Sequence, residues 1–231
     1  MVRKLLGVGV LALVAGLAVT GCSPVKMGAA AIVGSNRITL ATLDTEAGNL
    51  STGAAKYPGV VNLSQQQITQ QTLSWLIRFQ INEQLARQQG ITVSAAQAEQ
   101  SLNLIIQGAS QQAKQSGIAN PTQDLILAAN GIPPNLATEL GRFQAIETQY
   151  LTKANGGTPP SATSSQSAQL DAQFTHAYCV AAKSLNIRVN PQFGRMNYAT
   201  FPYSIGAAAD TVSRPSGTPQ TASPAGLTPA C

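Results

Sequence analysis

The longest helical period in the chain runs from about Gln65 to Gln89, and its apolar residues lie on two sides of the helix. At about 3.6 residues per turn, the first apolar row is Leu73, Ile77, Ile81 and Leu85, and the second apolar row is Ile68, Trp75, Phe79 and Ala86. A surface helix needs only one apolar side, so two rows predict two packing partners. Ser64 with Gln67 fits a capping box, and Gly90 predicts a left-handed end to the helix.

Four more helices follow from the same reasoning. Ser94 with Gln97 repeats the capping-box pattern, and the paired prolines 133 and 134 precede a single clean apolar stripe from Leu136 to Tyr150. The predicted helices cover residues 95–116, the segment TQDLILAAN capped by Asn120-Pro121, residues 136–151 and residues 168–185. We expect the first apolar row to pack on the helices at 95–116 and 136–151.

Short β segments occur near both ends of this helical region. Ala30 to Val33 and Arg37 to Leu40 flank the turn Gly34-Ser35-Asn36, which is typical of a β-hairpin. Ile187-Arg188-Val189 alternates like a strand and should pair with the hairpin, because either alone would leave a ladder edge unpaired. The predicted fold class is therefore mainly α, with an N-terminal β-hairpin that pairs with a C-terminal strand.

Three segments read as non-regular structure. NLSTGAAKYPGV should break any helix that opens at Thr42, which makes residues 50–63 a loop. Residues 155–167 have the composition of a linker inside a domain of residues 30–200. Residues 203–231 form a tail rich in Pro, Ser and Thr that has too few large apolar groups to fold.

The first residues have the three parts of a secretory signal: two cations, an apolar run from Leu5 to Ala18, and a small-residue end. Val19-Thr20-Gly21-Cys22 resembles the lipobox of bacterial lipoproteins, which implies removal of residues 1–21 and a diacylglyceryl group on Cys22. Residues 22–29 would then be a tether to a membrane. The alternative is an ordinary signal with a chance cysteine. The sequence leaves open whether the membrane is an outer membrane or that of a Gram-positive cell.

Composition narrows the classes of function and ligand that remain for this protein. Charged residues make up only 10% of the chain, and the formal charge of +5 falls to +3 without Arg3 and Lys4. No run of basic residues suggests a nucleic-acid partner. The single histidine, His176, offers with Cys179 too few ligands for a metal, and we expect no cofactor. Cys179 and Cys231 can form a disulfide outside the cytoplasm, or Cys179 can stay a buried thiol.

Enzymatic chemistry is poorly supported. On a helix His176 and Asp171 lie about 140° apart and cannot touch, and Asp44 and Glu46 face apart. We expect no catalytic residue.

The order of these parts resembles the N-terminal chaperone domain of the SurA family of periplasmic chaperones and peptidyl-prolyl isomerases. Three segments carry the resemblance: AAIVGSNRITLATLD, LSWLIRFQINEQLARQQGITVSAAQAEQSL and GIPPNLATELGRFQAIETQYL. LNIRVNPQFGRMN is similar to the C-terminal segment of related lipoproteins, so the resemblance covers most of residues 29–197. Family members carry parvulin isomerase domains of about ninety residues, and residues 155–185 leave no space for one.

The resemblance implies a lipid-anchored chaperone that binds unfolded secreted chains without isomerase activity. Such binding needs exposed apolar groups beside neutral hydrogen-bonding groups, for which Trp75, Phe79, Gln71 and Asn82 are the candidates. The alternative for Trp75 and Phe79 is ordinary core packing. The alternative function is an envelope scaffold lipoprotein that binds one folded partner.

Overall fold

The computed structural model describes residues 28–160, 165–199, 201–206 and 231. It is mainly helical, with a small antiparallel hairpin that pairs with a later strand, which confirms the predicted fold class. In chain order the elements are β1 (Ala29–Val33), β2 (Asn36–Thr39), α1 (Leu40–Ala55), α2 (Gln65–Gln89), α3 (Ala95–Gln115), α4 (Gln123–Ala129), α5 (Ala137–Ala154), α6 (Ser165–Ser184), β3 (Arg188–Val189), β4 (Arg195–Asn197) and β5 (Ser204–Gly206).

Side-chain caps begin helices α2 and α3 where the sequence predicts them. The Gln67 backbone N–H donates to the Ser64 hydroxyl over 3.3 Å, and the Ser64 backbone N–H donates to the Gln67 side chain over 2.8 Å. Ser94 and Gln97 repeat this reciprocal arrangement at the start of α3. Gly90 ends α2 in the left-handed conformation, with φ of 64°. Thr122, rather than Asn120-Pro121, caps α4.

Strand β1 lies at the centre of a three-stranded antiparallel sheet in the order β2-β1-β3. Ala31 pairs with Ile38 on one side and with Val189 on the other. This face of the sheet covers the main core, which is the cluster of buried side chains mainly from the hairpin, α2, α6 and the C-terminal strands. The expected pairing between the hairpin and the strand near Ile187 is therefore confirmed. The other face of the sheet carries Ile32, Arg37 and Arg188.

Helix α2 runs through the middle of the domain, and the partners of its first apolar row agree only in part with the prediction. The first apolar row is fully buried against the hairpin, α6 and the C-terminal segment. Of its two predicted partners, α5 adds the half-buried Phe143, Tyr150 and Leu151 to this core, and α3 adds no residue. The second apolar row instead meets three different neighbours. Ile68 packs with α1 and α4, Trp75 and Phe79 lie beside α3, α4 and α5, and Ala86 packs on Ile146 of α5.

Residues 50–55 do not belong to a loop, because α1 continues to Ala55. Leu43, Ala47, Leu50 and Ala54 recur at helical spacing and are all buried. Burial of this stripe outweighs the low helix propensity of Asn, Ser, Thr and Gly. The prediction of a loop over residues 50–63 is thus wrong for its first part, since only the residues from Lys56 onward lie outside the helix.

The predicted linker and tail are also shorter than the composition suggests. Helix α6 begins at Ser165, so the linker prediction for residues 155–167 fails at its end. Tyr203 is buried and residues 204–206 form β5, paired with β4, so the disordered-tail prediction fails for residues 203–206. Tyr203 and Ile205 supply large apolar groups to the main core, which outweighs the polar composition around them. Residues 207–230 lie outside the described part.

Helices α3 and α5 approach closely at Gly141. A Cβ on Gly141 would collide with the Ala98 carbonyl oxygen and lie 2.9 Å from the Leu102 Cβ. Gly108 on α3 has open space in that direction, with no atom within 4 Å of such a Cβ. Replacement of each glycine by alanine therefore tests a different effect: close packing at Gly141, and helix propensity alone at Gly108.

We expect Gly141→Ala to lower the free energy of unfolding by about 1–3 kcal/mol, because the added methyl overpacks the α3–α5 contact. Gly108→Ala should raise it by about 0.5–1 kcal/mol, since only helix propensity changes. Urea denaturation followed by circular dichroism measures both. A gain of stability in both variants would contradict the close packing at Gly141.

Candidate functional site

Trp75 and Phe79, the aromatic residues predicted to bind a client, lie together on one side of α2 and are half-buried. Their ring centroids are 5.7 Å apart, and Phe143 of α5 lies 6.1 Å from Trp75 and 6.2 Å from Phe79 in edge-to-face geometry. Helix α6 does not cover this side; helices α3, α4 and α5 flank it. The pair therefore belongs partly to the core and partly to the surface.

Polar contacts hold the Trp75 ring in place. Its indole N–H donates to the Asn130 carbonyl at the end of α4 over 3.3 Å. The Arg78 guanidinium lies over the ring, 4.7 Å from its centroid, as in a cation–π contact. A ring fixed at both ends offers a rigid apolar surface, which loses little conformational entropy when something binds to it.

Gln71 and Asn82, the predicted polar partners of a client backbone, are not available for that role. The Gln71 side chain packs against Gly131, which has φ of 68° and leaves no space there for a Cβ. Asn82 is 1% exposed and donates its amide N–H to the Phe143 carbonyl over 2.9 Å. Asn82 thus joins α2 to α5, while the Gln71 carboxamide oxygen is buried beside Gly131 and has no hydrogen-bond partner among the described residues.

A small pocket of about 140 Å³ opens between Phe79 and Phe143. Glu83 and Arg142 form its charged edge as a two-pronged ion pair, with Nη2 3.0 Å from Oε2 and Nε bonded to Oε1. Arg142 also donates to the Val93 carbonyl over 3.0 Å. The hydrogen bond to Glu83 raises the pKa of the Arg142 guanidinium. The ion pair joins α2 to α5, and the exposed Glu139 also lines the pocket.

Half-buried apolar side chains cluster around this pocket. Four buried residues, Leu127, Ile132, Leu136 and Leu140, have half-buried apolar groups packed around them. Five of these groups define what we call the open apolar surface: Trp75 and Phe79 of α2, and Leu102, Ile105 and Ile106 of α3. In the main core, by contrast, fully buried residues outnumber half-buried ones.

A third row of α2, which is polar, forms hydrogen bonds with the C-terminal segment. The sequence analysis did not predict this row. Gln70 donates to the Phe193 carbonyl over 3.3 Å, and the Ser74 hydroxyl accepts from the Ile205 N–H over 2.8 Å. Arg78 donates to the Tyr203 carbonyl over 2.6 Å, and burial lowers the pKa of its guanidinium. The spacing of these three residues by four was visible in the sequence, but the backbone groups they bind were not.

Cys179 and Cys231 are joined by a disulfide, with their Cα atoms 5.8 Å apart. The alternative of a free Cys179 thiol is therefore not what the structure contains. The bridge attaches the last residue of the chain to the middle of α6, close to Tyr178 in the main core. Cys22, the predicted lipidation site, lies outside the described residues.

The described residues show no other reactive constellation. His176 and Asp171 are both exposed on α6. No group of three His, Cys, Asp or Glu side chains in the described part lies close enough to hold a metal ion. None of the described helices is long and apolar enough to cross a membrane.

The burial of Asn82 leads to a prediction about stability and pH. Asn82→Asp should lower the free energy of unfolding by about 3 kcal/mol at neutral pH, because it buries a carboxylate that has no cation for itself. Burial raises the pKa of the new carboxyl, so the loss is present above the raised pKa and disappears as the pH falls below about 4. Urea denaturation across this pH range measures it.

Asn82→Leu is the control, because it keeps the volume and removes a carbonyl oxygen that has no hydrogen-bond partner among the described residues. It should change stability by no more than about 1 kcal/mol. Equal stability of the Asp and Leu variants at neutral pH would show that Asn82 faces solvent.

Comparison with family models, with curated proteins and with solved structures found no match to this chain. The resemblance to the SurA family therefore stays a prediction from the sequence motifs. The functional interpretation depends on the surface geometry of the described residues.

Proposed function

We propose that this protein is a lipid-anchored, extracytoplasmic chaperone that binds unfolded segments of other secreted polypeptides and has no prolyl isomerase activity. The proposal combines the resemblance of residues 29–197 to the SurA-family chaperone domain with the geometry around α2 and α3. Its parts are a client-binding surface and a membrane anchor at Cys22, and each part can be tested separately.

The open apolar surface is the observation that carries the proposal. Unfolded clients share no sequence, so a general holder must rely on burial of apolar groups, which is non-directional. Trp75 and Phe79 supply rigid aromatic area, and Ile105 and Ile106 supply aliphatic area on the facing helix. Aromatic groups of this kind contribute most to association energetics per residue.

The residues around this surface suit clients of varied charge. Helix α3 spans 21 residues, of which only Glu99 and Lys114 are charged, and its remaining polar residues are mainly Gln, Ser and Asn. Neutral polar groups exchange hydrogen bonds with a peptide backbone without selecting a charge. Such a border favours breadth of binding over specificity for one partner.

The role of the open apolar surface can be tested with adjacent residues on α3. Ile105→Gln should weaken suppression of client aggregation by about fivefold to tenfold, because a side chain that would contact the client becomes polar. Leu104→Gln is the matched control, since Leu104 is 62% exposed and lies about 200° around the helix from both Leu102 and Ile106. Light scattering of several unrelated denatured secreted proteins, at stoichiometric ratios, measures the effect.

Equal activity of the Ile105→Gln and Leu104→Gln variants would contradict this location of the client-binding surface. If the unaltered chain slows the aggregation of none of the clients but binds one folded protein, the envelope scaffold is the better description. Circular dichroism of each variant establishes that the comparison is made between folded proteins.

The anchor can be tested by replacing single cysteines. Cys22→Ala should abolish incorporation of labelled palmitate and move the protein from the detergent phase to the aqueous phase of a Triton X-114 extract. Cys231→Ser should leave both properties unchanged, because it removes the disulfide and keeps the anchor. Label on the Cys22→Ala variant, or a free Cys22 thiol in the unaltered membrane-bound protein, would contradict lipidation at this position.

A further inference from the structure

Charges are distributed unevenly between the helical and the β parts of the chain. Residues 44–171, which contain most of α1, all of α2 to α5 and the start of α6, hold eight Asp and Glu against six Lys and Arg. Residues 22–43 and 172–209 contain no Asp or Glu. The described part of these two segments carries four cations, Arg37, Lys183, Arg188 and Arg195, all of them exposed.

The sheet brings these distant segments together. Arg37 of β2 and Arg188 of β3 are both direct partners of Ile32 in the central strand, so the three residues form a row on one face. This is the face turned away from the core, since Ala31, Ile38 and Val189 occupy the other. Arg195 is a third exposed arginine, on strand β4 of the neighbouring two-stranded sheet, and β4 contacts β3. We call Arg37, Arg188 and Arg195 the arginine face.

Lys183 belongs to the same end of the domain. It lies in the last turn of α6, and the Leu185 carbonyl beyond that turn accepts from the Gly34 N–H in the hairpin turn over 2.6 Å. The hairpin, the end of α6 and the short C-terminal strands therefore form one basic end. Lys26, three residues before β1 in the sequence, lies outside the described residues.

The tether leaves the fold beside this face. Gly28 immediately precedes β1, and a Cβ placed on it would lie 2.9 Å from the Arg37 Nη2 atom. Seven residue steps separate Cys22 from Ala29, which span at most about 25 Å. A lipid on Cys22 would hold the arginine face within that distance of the bilayer.

We propose that the arginine face docks on anionic phospholipid head groups and so orients the domain on its membrane. This inference rests on the anchor of the proposed function and adds a second, electrostatic attachment. Guanidinium groups suit phosphate because their planar fork can donate two hydrogen bonds to it. A lipid chain together with a basic patch gives far more stable attachment than either alone.

Vesicle flotation tests the docking without the lipid. The probe is the chain from residue 22 to 231 with Cys22→Ser, which keeps all the described elements. It should bind vesicles that contain phosphatidylglycerol, not bind phosphatidylcholine vesicles, and dissociate as salt is raised. Replacement of Arg37, Arg188 and Arg195 by Gln should lower the partition constant about 100-fold, or about fivefold per residue.

Two further variants isolate the arginine face. Lys56→Gln, Arg87→Gln and Lys114→Gln together remove the same net charge from exposed positions on the helical part, and they should preserve binding within a few fold. Arg→Lys changes at residues 37, 188 and 195 keep the charge and lose the planar fork, so binding should be weaker than that of the unaltered probe and stronger than that of the triple Gln variant. Circular dichroism of each variant establishes that it is folded.

Equal binding to both vesicle types would overturn the proposal, and so would equal losses in the two triple Gln variants. Failure of this test leaves the chaperone proposal intact, because aggregation of clients is measured without vesicles. Failure of the chaperone test leaves the docking proposal intact, because binding to vesicles is measured without clients.

Discussion

The fold depends on complete burial of the first apolar row of α2. Leu73, Ile77, Ile81 and Leu85 have no exposed surface, and each contributes about 1.5–3 kcal/mol by leaving water. They lie between the N-terminal hairpin and α6, so one helix joins the two ends of the chain. Removal of this contact would separate the hairpin from its third strand, which comes from residues more than 150 positions later.

The other sides of α2 follow from that central position. Because the first apolar row is used by the hairpin and α6, the second apolar row faces α3, α4 and α5. Together with α1, which packs on Ile68, these helices bury Ile68 and Ala86 and leave Trp75 and Phe79 half-buried. The aromatic residues are thereby both core and surface, which is the property that the proposed client-binding surface requires.

The same helix separates the two proposed surfaces. Its polar row of Gln70, Ser74 and Arg78 binds backbone groups of the C-terminal segment, which carries β4 and Arg195 on to the sheet side of the domain. The open apolar surface lies among α2, α3, α4 and α5, and no strand contributes to its cluster.

Local signals in the sequence determined the helices with strong caps and a regular period. The two ends of α2 were predicted correctly from Ser64 with Gln67 and from Gly90. Capping hydrogen bonds within one turn and a left-handed glycine depend on only a few neighbouring residues. The hairpin and its pairing with Val189 followed from the need to satisfy strand edges. Trp75 and Phe79 were found because two large aromatics at helical spacing stand out in any pattern.

Only the tertiary structure decided which partner each row meets. Periodicity shows that a side of a helix is apolar and does not show what covers it, so only α5 of the two helices predicted to cover the first apolar row contributes to its core. The continuation of α1 past Leu50 and the burial of Tyr203 depend on groups far away in the chain, which local propensity does not include. The arginine face likewise exists only because the fold places Arg37 and Arg188 on either side of Ile32.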